Sequence, residues 1–213
     1  MTRRRDRKAR RGDGGGGKFR LAVMISGGGT SLQNLIDRIR DGRLPGVEIA
    51  VVISSRSEVA GVARAEAAGL PVDVIRVKDV PDAAKFSAHI ALTLDVYAPD
   101  LVVQAGWLCY WLPPAKWMGR VINIHPALLP KFGGKGFYGS HVHEAVLAAG
   151  ETETGATVHL VDHEYDHGKI LAQRKCPVEP GDTVETLAAR VMALERELLP
   201  DTITSIVQRQ QPN

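Results

Sequence analysis

Short apolar segments alternate with helix-forming segments along most of this chain, and this alternation restricts the folds open to it. Strands are predicted at 19–25, 47–53, 72–77, 101–105 and 121–124, and helices at 32–39, 59–68, 83–97 and 113–118. Strands and helices that alternate at this spacing are joined by right-handed crossovers into a parallel sheet. We therefore expect an α/β fold, Rossmann-like, with a mostly parallel central sheet and helices on both of its faces.

The last third of the chain departs from this alternation. Strands are predicted at 157–161 and from 170 towards 178, and the acidic turn 162–168 joins them. A short connection of this kind predicts a hairpin, so an antiparallel C-terminal strand should complete the sheet. Helices are expected at 141–149 and from 183 to about 208, the second one interrupted by Pro200.

Basic charge is concentrated at the start of the chain. Residues 1–20 contain nine Lys or Arg and two Asp, whereas the remaining residues contain 18 basic and 22 acidic side chains. Residues 1–17 have almost nothing apolar to bury and end in four glycines, which predicts a disordered tail. Residues 18–213 should form one domain, with a phosphate-binding half over 18–118 and a catalytic half over 119–213. The tail favours either non-specific nucleic-acid contacts or a solubilising role.

Two cysteines, Cys109 and Cys176, lie far apart without a partner motif, which is typical of a reduced, cytoplasmic protein. No apolar run reaches the roughly 18 residues of a membrane span, and no apolar signal segment opens the chain. No membrane partner is expected. The sequence leaves monomer and homodimer both open.

A candidate active site follows the strand at 121–124. Residues two apart on a strand point to the same side, so Asn123 and His125 should emerge together before Pro126 ends the strand. In an open α/β sheet, ligands bind beyond the carboxyl ends of the strands. An amide donor and a titratable ring at that edge suit acid–base chemistry, although both side chains could instead satisfy local backbone groups.

A second candidate site is the turn Ser26-Gly-Gly-Gly-Thr-Ser31 between the first strand and the first helix. Free backbone N–H groups and the helix dipole at such a turn attract anions. The spacing is neither a dinucleotide fingerprint nor a P-loop. It predicts a cradle for a single phosphate, with a tight turn that binds no ligand as the alternative.

The glycine-rich loop 131–139 predicts either a mobile lid or a close approach of backbone to the site. Six of the seven histidines lie between 125 and 167, so metal binding must be weighed. The pairs His141/His143 and His163/His167 have ligand-like spacing, but no HExxH motif and no cysteine cluster accompany them. We expect no metal.

Acyl transfer requires fewer special groups than a metal site does. Asn123 would stabilise an oxyanion, His125 would exchange a proton, and Asp166 would orient the ring. No serine or cysteine nucleophile stands beside a base in a recognised motif, which favours direct transfer without a covalent intermediate.

Motifs spread over about 19–207 resemble one enzyme family. They read SGGGTSLQNLID, YAPDLVV, AGW, GRVINIHPALLPKF, HVHEAV, TGATVHLVDHEYDHGKILAQ and LERELLP. The chain resembles the phosphoribosylglycinamide formyltransferases of purine biosynthesis. The most specific feature is NIHPxLLP about forty residues before DxGxIxxQ.

The resemblance implies the formyltransferase fold and two small-molecule substrates, glycinamide ribonucleotide and the cosubstrate 10-formyltetrahydrofolate. It implies that the nucleotide's amine attacks the formyl carbon, with Asn123 and His125 stabilising the oxyanion and Asp166 assisting. The remaining residues that it implies are Gly29, Thr30 and Ser31 for the substrate phosphate, Glu195 for the ribose, Trp107, Leu108, Cys109, Asn123, Asp162, His163 and Asp166 for the folate, and Thr157 and His159 behind them.

The chain also departs from that family. Leu108-Cys109 replaces a frequent Met-Arg pair, the 131–139 loop is longer, and His167 replaces a glycine, so that its ring could reach the pocket. Three alternatives follow. A formyltetrahydrofolate deformylase shares the Asn/His/Asp set but usually has an N-terminal regulatory domain. A methionyl-tRNA formyltransferase requires a further C-terminal domain. The third alternative is a non-catalytic nucleotide or folate binder, which would not need Asn123, His125 and Asp166 together.

Overall fold

A computed structural model describes residues 17–210. Its seven-stranded sheet has the order β3-β2-β1-β4-β5-β6-β7. The strands are β1 (Phe19–Ile25), β2 (Val47–Ser54), β3 (Val72–Val74), β4 (Leu101–Gln104), β5 (Val121–His125), β6 (Glu153–Leu160) and β7 (Ile170–Pro177). The helices are α1 (Thr30–Arg40), α2 (Ala60–Ala67), α3 (Ala83–Tyr97), α4 (Ser140–Ala148) and α5 (Val184–Gln210), with a short 3₁₀ turn at Ala115–Trp117.

The predicted α/β sheet with helices on both faces is confirmed. β1 is buried from Leu21 to Ile25, and alternate residues face opposite sides of the sheet. Leu21, Val23 and Ile25 pack with α1 and α5 in one core. Ala22 and Met24 pack with α3 and three tryptophans in the other. A strand covered on both faces has to be continuously apolar, which is the pattern that this segment shows.

The antiparallel part of the sheet is larger than the sequence suggested. β6 begins at Glu153, four residues before the predicted start, and it is antiparallel to both β5 and β7. At the other edge, β3 ends at Val74 instead of 77, because its pairing with β2 covers three residues only.

Pro200 does not interrupt α5, contrary to expectation. A proline within a helix leaves the carbonyl four residues earlier without its N–H donor. That carbonyl belongs to Arg196, and the side chain of Asn34 on α1 donates to it at 2.8 Å. The neighbouring helix therefore supplies the hydrogen bond that the proline cannot make.

The chain changes direction between β1 and β4, the two central strands. β2 and β3 follow β1 on one side, and β4 begins the other side. Beyond the strand ends, the amide of Ser26 donates to Gly106 O at 3.0 Å, and the Ser26 hydroxyl accepts from the amide of Leu108 at 2.9 Å. This switch point is where an open α/β sheet forms its binding crevice.

Among residues 17–210, no helix combines the length and apolar character that crossing a membrane requires. Cys109 and Cys176 are both free. The basic tail predicted for 1–17 lies outside the described residues except for Gly17. The division into a phosphate-binding half and a catalytic half stays a prediction.

Substitution of Gly29 by alanine should lower the free energy of unfolding by about 2 kcal/mol or more. Gly29 has φ +68°, and a Cβ there would lie 2.6 Å from the Cα of Gly61 on α2. Gly28→Ala is the matched control, because a Cβ at Gly28 meets nothing within 4 Å. Denaturant unfolding measures both variants, and equal stability would contradict the prediction.

Candidate active site

Asn123 and His125 lie on β5, and strand register determines their neighbours. On antiparallel β6, His159 pairs with Asn123 and Thr157 pairs with His125. Directly opposite residues project from the same face of a sheet, so each pair can make side-chain contacts. Asn123 Nδ2 lies 3.1 Å from His159 Nε2.

Asp166 completes the group from the turn between β6 and β7. Its backbone has φ 55°, which is uncommon outside glycine. Oδ1 accepts a hydrogen bond from Asn123 Nδ2 at 3.2 Å, and Oδ2 lies 3.5 Å from His125 Nδ1. Oδ2 also accepts from the amide of Gly134 at 2.9 Å. Asp166 therefore contacts both of the other predicted catalytic side chains, Asn123 and His125.

The hydrogen bonds of His159 define the orientation of Asn123. His159 Nδ1 lies 2.8 Å from Leu160 O, and because a carbonyl can only accept, this nitrogen carries the hydrogen. In the neutral ring Nε2 is then bare and accepts from the Asn123 amide. Both amide hydrogens are thus engaged, one by His159 and one by Asp166.

The same reasoning assigns the hydrogen on His125. Its Nε2 lies 2.7 Å from Phe132 O and must donate to it. Nδ1, which faces Asp166, is therefore unprotonated in the neutral ring. A proton that the ring takes up goes to Nδ1, beside the carboxylate.

The pKa values of His125 and Asp166 are both lowered, but for different reasons. Burial lowers the pKa of His125 below its usual value, more than the Asp166 carboxylate and the Phe132 carbonyl raise it. For Asp166, burial is the largest influence and raises the pKa. The nearby His159 ring, the charge of His125 and the Gly134 amide together outweigh burial, so that the pKa of Asp166 is lowered. Near neutral pH the site therefore favours an ionised Asp166 beside an uncharged His125.

The glycine-rich loop 131–139 makes the close backbone approach that was one of its two predicted roles. Phe132 O and Gly134 N contact His125 and Asp166, as described above. A Cβ on Gly133 would lie 2.4 Å from Leu129 Cδ2 and 3.2 Å from Asp166 Cβ. A side chain at that position would press on the side chain of Asp166.

A pocket of about 260 Å³ opens in front of this group. The predicted site residues that line it are Trp107, Leu108, Cys109, Asn123, His125, His159, Asp162 and Asp166. His163 does not line it, because its ring lies 3.2 Å from Pro113 O on another side of the turn. The pocket also contains Tyr110, which the sequence analysis missed, and Tyr165, which belongs to the predicted turn 162–168. The rings of the two tyrosines are 5.3 Å apart. The position of Tyr110 directly after Trp107–Cys109 is the one sequence signal that could have indicated its place in the pocket.

Thr157 is fully buried and lies behind the site. Its hydroxyl donates to Ala127 O at 2.6 Å and accepts from Leu129 N at 3.1 Å and from Gln173 Nε2 at 2.9 Å. These bonds hold the segment that follows His125, which agrees with a supporting position.

The turn Gly29–Ser31 lies at the carboxyl end of β1 but does not line the pocket. No side chain caps the N-terminus of α1, so the N–H groups of its first turn have no capping partner. Glu195 does not line the pocket either. It belongs to the α5 segment that Asn34 holds against α1. Burial raises the pKa of Glu195 to about 7, and no residue within 17–210 donates a hydrogen bond to its carboxyl group or forms an ion pair with it.

The other histidines do not converge on a metal. His141 contacts Glu144 and His167 contacts Asp162, each at 3.1 Å. His143 is buried, and its Nδ1 has no partner in the described part of the chain. Across 17–210, no three His, Cys, Asp or Glu side chains are placed to share an ion. The ring of His167 reaches Asp162 at the pocket rim and not the pocket itself.

Comparison with known proteins is consistent with this geometry. The model of the formyl transferase family matches residues 19–203. The chain belongs to the formyl transferase family. It is 37% identical over 183 residues to phosphoribosylglycinamide formyltransferase of Haemophilus influenzae, a match that covers 85% of this chain and 84% of that protein. The resemblance noted in the sequence is thereby confirmed.

Other relatives are much longer. The trifunctional purine biosynthetic protein adenosine-3 of Bos taurus is 43% identical over 188 residues, which cover 87% of this chain but 18% of that protein. The chain therefore spans about a fifth of the length of this relative. Among solved structures, glycinamide ribonucleotide transformylase 1 of Symbiobacterium toebii superposes with a TM-score of 0.82 at 35% identity, over 93% of this chain and 92% of that one.

Asp166→Asn should lower the pKa of His125 further, because the carboxylate charge is an influence that raises it. Asparagine tolerates a positive φ, so the turn should be retained. Titration of the His125 ring by NMR measures the change. Asp162→Asn is the control: it removes a carboxylate that raises the pKa of His167 and should leave His125 unchanged. An unchanged or higher pKa of His125 in Asp166→Asn would contradict the charge assignment.

Proposed function

We propose that this protein is a phosphoribosylglycinamide formyltransferase, which transfers the formyl group of 10-formyltetrahydrofolate to the amine of glycinamide ribonucleotide. The observation that carries the proposal is the contact of one buried carboxylate, Asp166, with both Asn123 and His125. Family membership and similarity to enzymes of this name supply the substrates.

In this mechanism the amine attacks the formyl carbon and the carbonyl oxygen becomes an oxyanion. Asn123 Nδ2 is the donor for that oxygen, because a donor already fixed in place needs no reorganisation as the charge develops. One of its hydrogens is bound to Asp166 in this arrangement. The oxyanion therefore competes with the carboxylate for it, and protonation of Asp166 would release it.

His125 and Asp166 handle the proton that the amine loses. The bare Nδ1 of His125 faces the carboxylate, so the two groups can share a proton taken up from the substrate, directly or through water. The Nε2–H of His125 is bound to Phe132 O. Donation from that hydrogen to the oxyanion requires the 131–139 loop to move away from the ring.

The nucleotide would bind on the other side of the site. The uncapped N-terminus of α1 at Gly29, Thr30 and Ser31 would bind its phosphate, as the free N–H groups of a helix do. Glu195, on the helix packed against α1, would bind the ribose hydroxyls. The walls at Trp107–Cys109 and Asp162 would contact the folate, with His163 the least supported member of that set because its ring points elsewhere.

Consumption of 10-formyltetrahydrofolate by the purified protein, with and without glycinamide ribonucleotide, tests the proposal. Consumption only with the nucleotide is expected. Equal consumption without it would mean that water is the acceptor, as in a formyltetrahydrofolate deformylase. No consumption in either case would indicate a non-catalytic binder.

Asn123→Ala should reduce kcat about 10²- to 10³-fold, as the loss of one oxyanion donor does. Asp166→Asn should reduce it by several orders of magnitude, because the carboxylate contacts both other catalytic side chains. Steady-state kinetics measure both, with circular dichroism to confirm folding. Near-normal turnover in either folded variant would rule out this mechanism.

Glu195→Gln should raise the KM for glycinamide ribonucleotide about tenfold, since a glutamine cannot accept two ribose hydrogen bonds in the same way. The same variant should be at least as stable as the parent at pH 8. A glutamate whose pKa is raised on folding disfavours the folded state above its unfolded pKa, and glutamine removes that cost. An unchanged KM together with lower stability would assign Glu195 a structural role instead.

A further inference from the structure

The turn 162–168, which carries Asp166, extends beyond the paired part of the sheet. Pairing on the β6 side ends at Val161, whose amide donates to Val121 O at 2.9 Å, and β7 begins only at Ile170. Asp166 also has the positive φ of 55°. Contacts other than strand pairing therefore have to fix the position of this carboxylate.

The inner side of the turn is held by groups that take part in the proposed reaction. Oδ1 of Asp166 accepts from Asn123, and Oδ2 accepts from the amide of Gly134. In the proposed mechanism the oxyanion competes for the Asn123 hydrogen, and the loop that contains Gly134 moves when His125 donates. Both inner bonds are thus weakened at the step that needs the carboxylate.

The outer side of the turn is held by contacts with the segment 110–113. Tyr110 Oη donates to His163 O at 2.8 Å. His163 Nε2 lies 3.2 Å from Pro113 O, and because a carbonyl can only accept, this nitrogen donates. The rings of Tyr110 and Tyr165 are 5.3 Å apart and inclined at 46°. Two hydrogen bonds of opposite direction and one aromatic contact together form a clasp between the two segments.

The segment 110–113 is itself anchored. Trp111 is 3% exposed and packs in the core that α3 covers. The amide of Leu112 donates at 3.0 Å to the buried hydroxyl of Ser87 on α3. The clasp therefore ties the turn to a fixed part of the protein, and this tie does not depend on Asn123 or on the 131–139 loop.

We propose that Tyr110 and His163 are positioning residues, which hold the turn so that Asp166 stays in contact with His125 while the inner bonds are exchanged. The catalytic part of this inference rests on the proposed function. The inference gives His163 a role other than the folate contact that the resemblance implied, because its ring donates to Pro113 O and does not line the pocket.

Tyr110→Phe tests the hydroxyl bond, since it keeps the ring that packs on Tyr165. It should lower kcat about three- to tenfold, the effect of one hydrogen bond, and leave the KM for glycinamide ribonucleotide unchanged. In the Asp166→Asn background it should cause no further loss, because no carboxylate is left to position. Single-turnover kinetics measure this cycle. An equal loss in both backgrounds, or a loss confined to a KM, would overturn the proposal.

Two variants of His163 test the second bond. His163→Leu removes the donor to Pro113 O, whereas His163→Gln keeps a donor of similar reach. The leucine variant should lose kcat about as much as Tyr110→Phe, and the glutamine variant should recover most of that loss. Equal losses in the two variants would contradict a role for the Nε2 bond.

Tyr97→Phe is the matched control for the loss of a tyrosine hydroxyl. Tyr97 ends α3 and packs beside the core at the amino end of β1, where Arg20 donates to its carbonyl at 2.9 Å. The site lies at the carboxyl ends of the strands, so this variant should have the kcat of the parent.

NMR titration of the His125 ring separates the clasp from the proposed function. The charge of Asp166 raises the pKa of His125, so displacement of the carboxylate should let that pKa fall. Tyr110→Phe/His163→Leu should therefore lower the pKa of His125, by less than Asp166→Asn does, and Tyr97→Phe should leave it unchanged.

The two measurements have distinguishable outcomes. If the parent transfers no formyl group but the double variant lowers the pKa of His125, the proposed function fails while the clasp stands. An unchanged pKa in the folded double variant would overturn the clasp, whether or not the parent is active.

Discussion

The site depends on the contacts that the largely buried carboxylate of Asp166 makes with its neighbours. It is bound by Asn123 from β5 and by Gly134 from the glycine-rich loop, and it faces His125 and His159 from two strands. A buried charge is tolerated only when several partners stabilise it. Loss of any one partner would therefore disturb the others, so the proposed catalysis depends on the local structure at this point.

The sheet places the rest of the binding surface around that carboxylate. The glycine turn before α1, the cleft lined by Arg56, Arg76 and Lys78, the Trp107–Cys109 segment and the Asn123/His125 pair all follow the carboxyl ends of parallel strands, so they lie along one edge. The hydroxyl of Ser26 links this row, because it accepts from Ser55 at 2.7 Å and from the amide of Leu108 at 2.9 Å. The walls of the proposed folate and nucleotide sites consequently share one support.

Much of this could be predicted from sequence, since local patterns determine it. The continuous apolar run of β1, the period-two pairing of Asn123 with His125 and the glycine turn before α1 are properties of short segments. The failures involve partners far along the chain. Continuation of α5 through Pro200 depends on Asn34, 162 residues before the carbonyl that it satisfies, and no local pattern contains that information.

The sequence by itself determined the α/β class, the edge of the sheet where the candidate site lies and the identity of Asn123, His125 and Asp166 as candidates. Only the tertiary structure decided which nitrogen of His125 faces the carboxylate, that both hydrogens of Asn123 are engaged, and that a cleft lined by Arg56, Arg76 and Lys78 adjoins the pocket. These properties depend on distances between atoms of separate strands and loops. Packing determines those distances, whereas sequence spacing determines only which residues share a strand or a helix face.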